Sequence, residues 1–309
     1  MRKRARSRAV LLTALIAGAL TGCSGSAEQP ADAHRTTPGA PHTAPSRPPV
    51  PEPGRPTASP GDSAPPSPDS VTPSPSRAVW KPRPGLAWQW QLDGRVDASA
   101  DVPVYDIDGF ENSAADVARL HRAGRKVICY VNVGAWEDFR PDRGAFPDSV
   151  LGEPNGWSGE RWLDIRQLAL LRPIMERRFD MCRDKGFDAV EPDLVEGYGN
   201  DTGFPLTARD QLRYNRMIAA IAHERGLSVG LKNDLPQIPQ LVDHFDFAVN
   251  EECAQYDECG ELSPFIAAGK AVFHVEYTEP RSGFCAESRR LRLSSMLKEP
   301  ELGVWRGPC

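Results

Sequence analysis

Four times in this chain an amphipathic run with helical spacing ends in a glycine that leads directly into a short, β-rich apolar run: Ala123-Gly124, Lys185-Gly186, Arg225-Gly226 and Ala268-Gly269. Glycine closes a helix because it takes the left-handed conformation at no steric cost. Helix, glycine and strand in repetition form the unit of a parallel α/β fold. Strands are expected at 88–92, 102–107, 126–133, 161–165, 187–194, 227–233, 245–250, 271–277 and 303–306, and helices at 113–123, 168–185, 208–225, 238–244, 262–268 and 285–297. That number of strands in a single large unit predicts a (β/α)8 TIM-type barrel. The alternative is an open doubly wound sheet. When such a sheet binds nucleotides it carries a glycine-rich phosphate loop after its first strand, and the chain has neither GxGxxG nor GxxxxGK[ST].

The 30 prolines are unevenly placed: 17 lie in residues 23–84, a stretch of Pro, Ser, Ala, Thr and Gly with almost no large apolar residues. Such a stretch cannot bury enough surface to offset its ordering entropy, so it reads as a disordered, partly extended stalk. Ahead of it, a basic cluster (Arg2, Lys3, Arg4, Arg6, Arg8) precedes an apolar run from Ala9 to Leu20. The run is too short to span a bilayer and reads as an export signal. Leu20-Thr21-Gly22-Cys23 resembles the bacterial lipobox, whose cysteine is cleaved at its amino side and acylated. The expected organisation is a signal peptide at 1–22, a linker at 23–84 and a barrel at 85–309, held on the outer face of a bacterial cell membrane through lipid on Cys23. An ordinary signal peptide with a stray cysteine is the alternative.

The remaining six cysteines, Cys129, Cys182, Cys253, Cys259, Cys285 and Cys309, suit an exported, disulfide-bonded protein. They allow 15 pairings, among which sequence cannot choose. The pairing taken as the expectation is Cys129–Cys182, Cys253–Cys259 and Cys285–Cys309. A zinc site is the rival use, but no CxxC pair is present.

Residues 85–309 hold 26 Lys and Arg against 37 Asp and Glu, a net charge of −11. Such a surface disfavours nucleic acid and favours cationic ligands, although solubility alone would also account for it. A barrel carries its reactive groups at the carboxyl ends of its strands, and here those ends are loaded with acids: Asp106 and Asp108, Asp164, Glu191 and Asp193, Asp234, Glu251 and Glu252, and Glu276. Convergent carboxylates serve either metal binding or glycoside hydrolysis. The histidines do not form an HxH or HExxH set, His274 alone lies on an expected strand, and no G-x-S-x-G elbow is present. No metal or other cofactor is expected. Trp90, Tyr105, Tyr130, Trp136, Trp162, Tyr198 and Tyr277, with Trp88 and Trp157, fall at or near strand ends and loops, where rings can stack on sugars or simply pack.

Seven motifs in order, Cys129-Tyr130-Val131-Asn132-Val133-Gly134-Ala135-Trp136, Arg161-Trp162-Leu163-Asp164, Glu191-Pro192-Asp193, Gly199-Asn200-Asp201-Thr202-Gly203, Leu231-Lys232-Asn233-Asp234, Asn250-Glu251-Glu252-Cys253 and Val275-Glu276-Tyr277, resemble glycoside hydrolase family 114. The resemblance runs from about Trp88 to Tyr277. It implies a (β/α)8 barrel with endo-α-1,4-polygalactosaminidase activity, retention of anomeric configuration, Asp193 as nucleophile and Glu251 as general acid/base.

Strand alternation conflicts with that last residue. It puts Phe245, Phe247, Val249 and Glu251 on one face and Ala248, Asn250 and Glu252 on the other. If the bulky apolar face packs outward on helices, Glu252 points inward. The family pattern favours Glu251, because its second acid position is commonly Gln. A bulge would reconcile the two.

A galactosamine polymer is cationic when deacetylated, so Asp106, Asp108, Asp164, Glu191, Asp234 and Glu276 are candidates to pair with ammonium groups. Lys232 is expected to anchor a carboxylate, and Asn233, Asn250 and Glu252 to line the same mouth. The expected protein is a monomeric, exported endo-glycosidase acting on a polysaccharide. The alternatives are a carbohydrate-binding lipoprotein without turnover and a metal-dependent deacetylase.

Overall fold

The computed structural model describes residues 79–309; the expected signal segment, Cys23 as the expected lipidation site and nearly all of the expected linker lie outside the described residues. In chain order the elements are β1 (Trp88–Gln91), β2 (Val104–Asp108), α1 (Ala114–Arg122), β3 (Lys126–Asn132), β4 (Ala135–Glu137), β5 (Leu151–Pro154), β6 (Glu160–Leu163), α2 (Leu168–Lys185), β7 (Ala189–Asp193), α3 (Ala208–Glu224), β8 (Ser228–Lys232), α4 (Ile238–Leu241), β9 (Phe247–Glu251), α5 (Ser263–Ala267), β10 (Val272–Glu276), α6 (Arg281–Arg290), β11 (Ser294–Leu297) and β12 (Gly307–Pro308). The large sheet runs β1-β2-β3-β7-β8-β9-β10-β11 with every pair parallel, and β12 lies antiparallel on β11. This is the TIM-type α/β fold. At the seam the Trp88 indole N–H donates to the Ser294 carbonyl at 2.8 Å.

The local signals act as chemistry predicts. Gly124, Gly186, Gly226 and Gly269 all take positive φ, between 71° and 92°. Ser113 with Asp116, and Thr207 with Asp210, form reciprocal capping boxes that start α1 and α3. The three disulfides are Cys129–Cys182, Cys253–Cys259 and Cys285–Cys309. The first ties β3 to α2 across 53 residues, a loop whose closure entropy corresponds to about 4 kcal/mol.

Three expectations are corrected. The run at 161–165 is no barrel strand. As β6 it joins β4 and β5 in a separate antiparallel sheet inserted between β3 and α2. The helix expected at 285–297 stops at Arg290, and its last residues become β11, whose Ser294, Ser295 and Met296 are buried in the barrel wall. The run at 303–306 is irregular, with β12 just beyond it. Ordered contacts also reach back before residue 85: Trp80 packs against the interior cluster and the Pro82 carbonyl accepts the Ala271 N–H at 3.0 Å.

Two apolar clusters lie on opposite faces of the sheet. One fills the layer between sheet and helices and includes Tyr105, Val127, Cys129, Val229, Leu231 and Ala248. The other fills the barrel and includes Trp88, Trp90, Val104, Ile128, Phe247, Val249, Phe273 and Val275. The interior holds large rings because small residues face them. A Cβ on Gly230 would come within 2.4 Å of the Phe247 ring, so glycine makes the room that this phenylalanine fills.

Candidate active site

The interior packing fixes which side chains reach the mouth. Val104, Phe247, Val249 and Val275 point inward, so alternation brings Asp106, Glu251 and Tyr277 to the same face. The outward expectation for the Phe247 face is overturned, and with it the reason to prefer Glu252 as the inward acid. Glu252 begins the turn, with φ 62° and its N–H on the Val275 carbonyl.

Lys232 ends β8 and is almost fully buried. Its Nζ lies 2.9 Å from Asp193 Oδ1, 3.1 Å from Glu251 Oε2 and 3.3 Å from Glu191 Oε1, and 5.0 Å from the Trp90 ring centre. Burial pulls the ammonium down, but these three carboxylates hold its pKa well above the ordinary value. Burial also raises Asp193. Attraction to Lys232, with hydrogen bonds from Lys232, the Tyr130 hydroxyl (2.8 Å) and the Leu194 N–H (2.8 Å), outweighs burial and leaves its pKa lowered. Glu251 accepts from the Tyr277 hydroxyl on its other oxygen. Asp193 and Glu251 are partly exposed, so both can meet a ligand.

Beneath this pair lies a closed polar layer. Trp90 Nε1 donates to Glu191 Oε2 at 3.0 Å. Burial, and then the neighbouring Glu191, push the Asp106 carboxyl well above its ordinary value. Trp90, Asp106 and Glu191 are at most 1% exposed, so they support the site from below and present no surface to a sugar.

A second set of groups positions Glu251. Asn233, at φ 48°, accepts the Glu251 N–H at 3.0 Å and the Asn250 amide at 3.3 Å. Its own amide donates to Glu196 Oε1 at 3.2 Å, and Glu196 also accepts the Asp234 N–H. Asp234 is buried and bonded by Asn215. Burial and then Glu196 push its pKa up to about 8. Asn250 and Asp234 therefore brace the site from behind, and Tyr198 lies beside Asp234.

Other expected binders are spent elsewhere. Tyr105 faces the helices with its hydroxyl on the Ala100 carbonyl and Arg125 over its ring, which removes it from the site. Asp108 is clamped by both Arg140 amino groups. Asp164 is held by Arg166. Glu276 is fully buried on the outer face, accepting from His274 and from the Ala254 N–H, and so steadies the turn after Glu251. Trp136 donates to the Arg143 carbonyl, and Trp162 packs near Gly197; both lie on the inserted sheet. Among the described residues the metal-type cluster is Cys253, Cys259 and His274, but both thiols are consumed in a disulfide.

Two acids missed in the sequence stand near the pair. Glu196 follows the Glu-Pro-Asp strand end and braces Asn233. Glu160 opens β6, and only the three-dimensional path of the inserted sheet brings it close to Asp193.

The model of the glycoside hydrolase family GH114 matches residues 70–309. This chain belongs to that family. Glycoside hydrolase family 114 membership accords with a crystal structure of Aspergillus fumigatus Ega3 in complex with galactosamine. That structure is 41% identical, with a TM-score of 0.69 over 75% of this chain and 98% of that one. The glycoside hydrolase domain of PelA from Pseudomonas aeruginosa shares the fold at 14% identity, with a TM-score of 0.57 over 71% of this chain and 97% of that one. No curated protein sequence matches the chain. The protein is a glycosidase.

Proposed function

We propose that this glycosidase is an exported, lipid-anchored, endo-acting enzyme. Its substrate would be an α-1,4-linked, galactosamine-containing exopolysaccharide, cleaved with retention by Asp193 and Glu251. The observation that carries the reading is the single ammonium of Lys232 shared by the two partly exposed carboxylates. Its two contacts bound the gap between the bonded oxygens at about 6 Å, compatible with the 5–5.5 Å spacing that retention requires. The galactosamine bound in the 41% identical relative and the net charge of −11 on residues 85–309 support a cationic amino sugar.

Asp193, kept anionic, attacks the anomeric carbon as Glu251 gives its proton to the departing glycosidic oxygen. The C–O bond to the leaving sugar breaks and an ester to Asp193 forms. Negative charge thus leaves Asp193 and arises on Glu251, and Lys232 contacts both, so the favourable interaction is conserved through the step. Glu251 then takes a proton from water, which attacks the same carbon and frees Asp193. Tyr130 and Tyr277 hold the two carboxylates in facing rotamers.

The test is incubation of the full chain with deacetylated α-1,4-galactosamine polymer. Oligosaccharide release with the anomer retained, and lost in Asp193→Asn, is expected. Binding without release would favour a carbohydrate-binding protein, and chelator-sensitive release of acetate a deacetylase. Export and anchoring are checked separately: Cys23→Ala should move the protein from membrane to medium.

A further inference from the structure

The acids around the inserted sheet are matched to arginines: Asp108 and Glu137 to Arg140, Glu137 and Asp142 to Arg178, Asp164 to Arg166. Glu160, opposite Glu137 on the β4–β6 ladder, has no such partner among the described residues. It is held by neutral amides. Asn155 Nδ2 donates to Oε2 at 2.8 Å and Asn132 Nδ2 to the same oxygen at 3.3 Å. The Asn132 amide cannot turn round, because its Oδ1 already accepts the N–H groups of Gly134 and Ala135. Asn132 is also the β3 residue in register with Asp193 on β7. One oxygen of Glu160 is thus fixed and the other has no donor among the described residues, on a half-buried side chain next to the catalytic mouth. An aromatic ring accompanies it. Asn155 Oδ1 accepts the N–H of Trp157, a residue that is 59% exposed, and the Trp157 carbonyl accepts the Glu160 N–H.

We propose that Glu160, with Trp157 on the same hairpin, forms a subsite that selects a sugar unit bearing a free ammonium over its N-acetyl counterpart. Among the described residues no cation is ion-paired with this carboxylate, so the substrate would bring one, and the ring offers a face for sugar C–H groups. The inference rests on the galactosamine reading and sharpens it. Burial, then Glu137 and Asp193, raise Glu160 to about 7 against the pull of the Asn155 amide and Arg140. A neighbouring cation would lower it again, so binding there should strengthen as pH rises through that range for as long as the sugar amine keeps its proton.

The experiment compares wild type, Glu160→Gln and Asn155→Ala on fully deacetylated and fully N-acetylated α-1,4-galactosamine polymers. Glu160→Gln should raise KM for the deacetylated polymer about tenfold with kcat within about threefold, and leave the N-acetylated polymer unchanged. The wild-type advantage should shrink toward unity below about pH 7. Asn155→Ala should show the same selectivity at smaller size, which keeps the test alive if the first variant folds poorly. Equal effects on both polymers, or a kcat loss at constant KM, would overturn the subsite alone. A wild type inert on both polymers would overturn the substrate reading as well.

Discussion

Two neighbouring regions spend their charges differently. Beside the inserted sheet, two arginines, Arg140 and Arg178, serve three acids, Asp108, Glu137 and Asp142, with Arg178 only 2% exposed and also donating to the Asn132 carbonyl. At the mouth, a single Lys232 serves Asp193, Glu251 and Glu191. Acids held by arginine resist rearrangement and fix a loop. Under-compensated carboxylates keep charge that a substrate or transition state can use. The same residue types thus build scaffold in one place and reactivity a few ångströms away.

The widest gap between the regions should show in activity. Asp193→Asn should cost at least about a thousandfold in kcat, and Glu251→Gln a comparable factor on substrates with a poor leaving group, with melting temperatures close to wild type. If either variant keeps wild-type turnover, the mouth is not where chemistry occurs. Arg178→Met should do the reverse. Losing the partner of Asp142, one of the two arginines on Glu137 and the donor to the buried Asn132 carbonyl should destabilise by about 3–5 kcal/mol in denaturant unfolding, while the folded fraction stays active. Collapse of kcat without loss of stability would erase the distinction.

A pH experiment isolates the bracing network behind the mouth. Folded Asp234 holds its proton up to about pH 8, whereas the unfolded chain releases it near the ordinary value of 3.8. Between those limits the folded state binds more protons, so this group costs stability as pH rises. Asp234→Asn should therefore raise the melting temperature more at pH 8 than at pH 5; an equal shift at both would refute the buried acid. Asp193 has the opposite sign. Its lowered pKa lends stability above the unfolded carboxylate range, and this is lost as pH falls through the folded value. The smallest effect expected is Tyr277→Phe, which removes one hydroxyl from Glu251 and should lower kcat about tenfold with little change in KM.

Much of this was legible in the chain. The helix ends at Gly124, Gly186, Gly226 and Gly269 are local events, decided by one residue's steric freedom. Asp193 and Lys232 could be placed at strand ends because hydrophobic runs mark strands. Tyr105 and Glu276 were misread because a strand's ends do not declare its inner face. Glu160 was passed over because an insertion between strands carries no barrel periodicity at all. The 285–297 run hid β11 because a short amphipathic stretch is compatible with both periods.

The order of elements, the strand-end acids and the family motifs were written in the linear chain, since each depends on near neighbours. Alternation also bound Glu251 to Phe247 and Val249 as one face. Whether that face looked into the barrel was a non-local matter. It turned on Gly230 opposite Phe247, and on tryptophans and phenylalanines from β1, β9 and β10 filling one interior. Only packing among distant strands can settle which side of a sheet is inside, and here that packing brought Asp193 and Glu251 to one lysine.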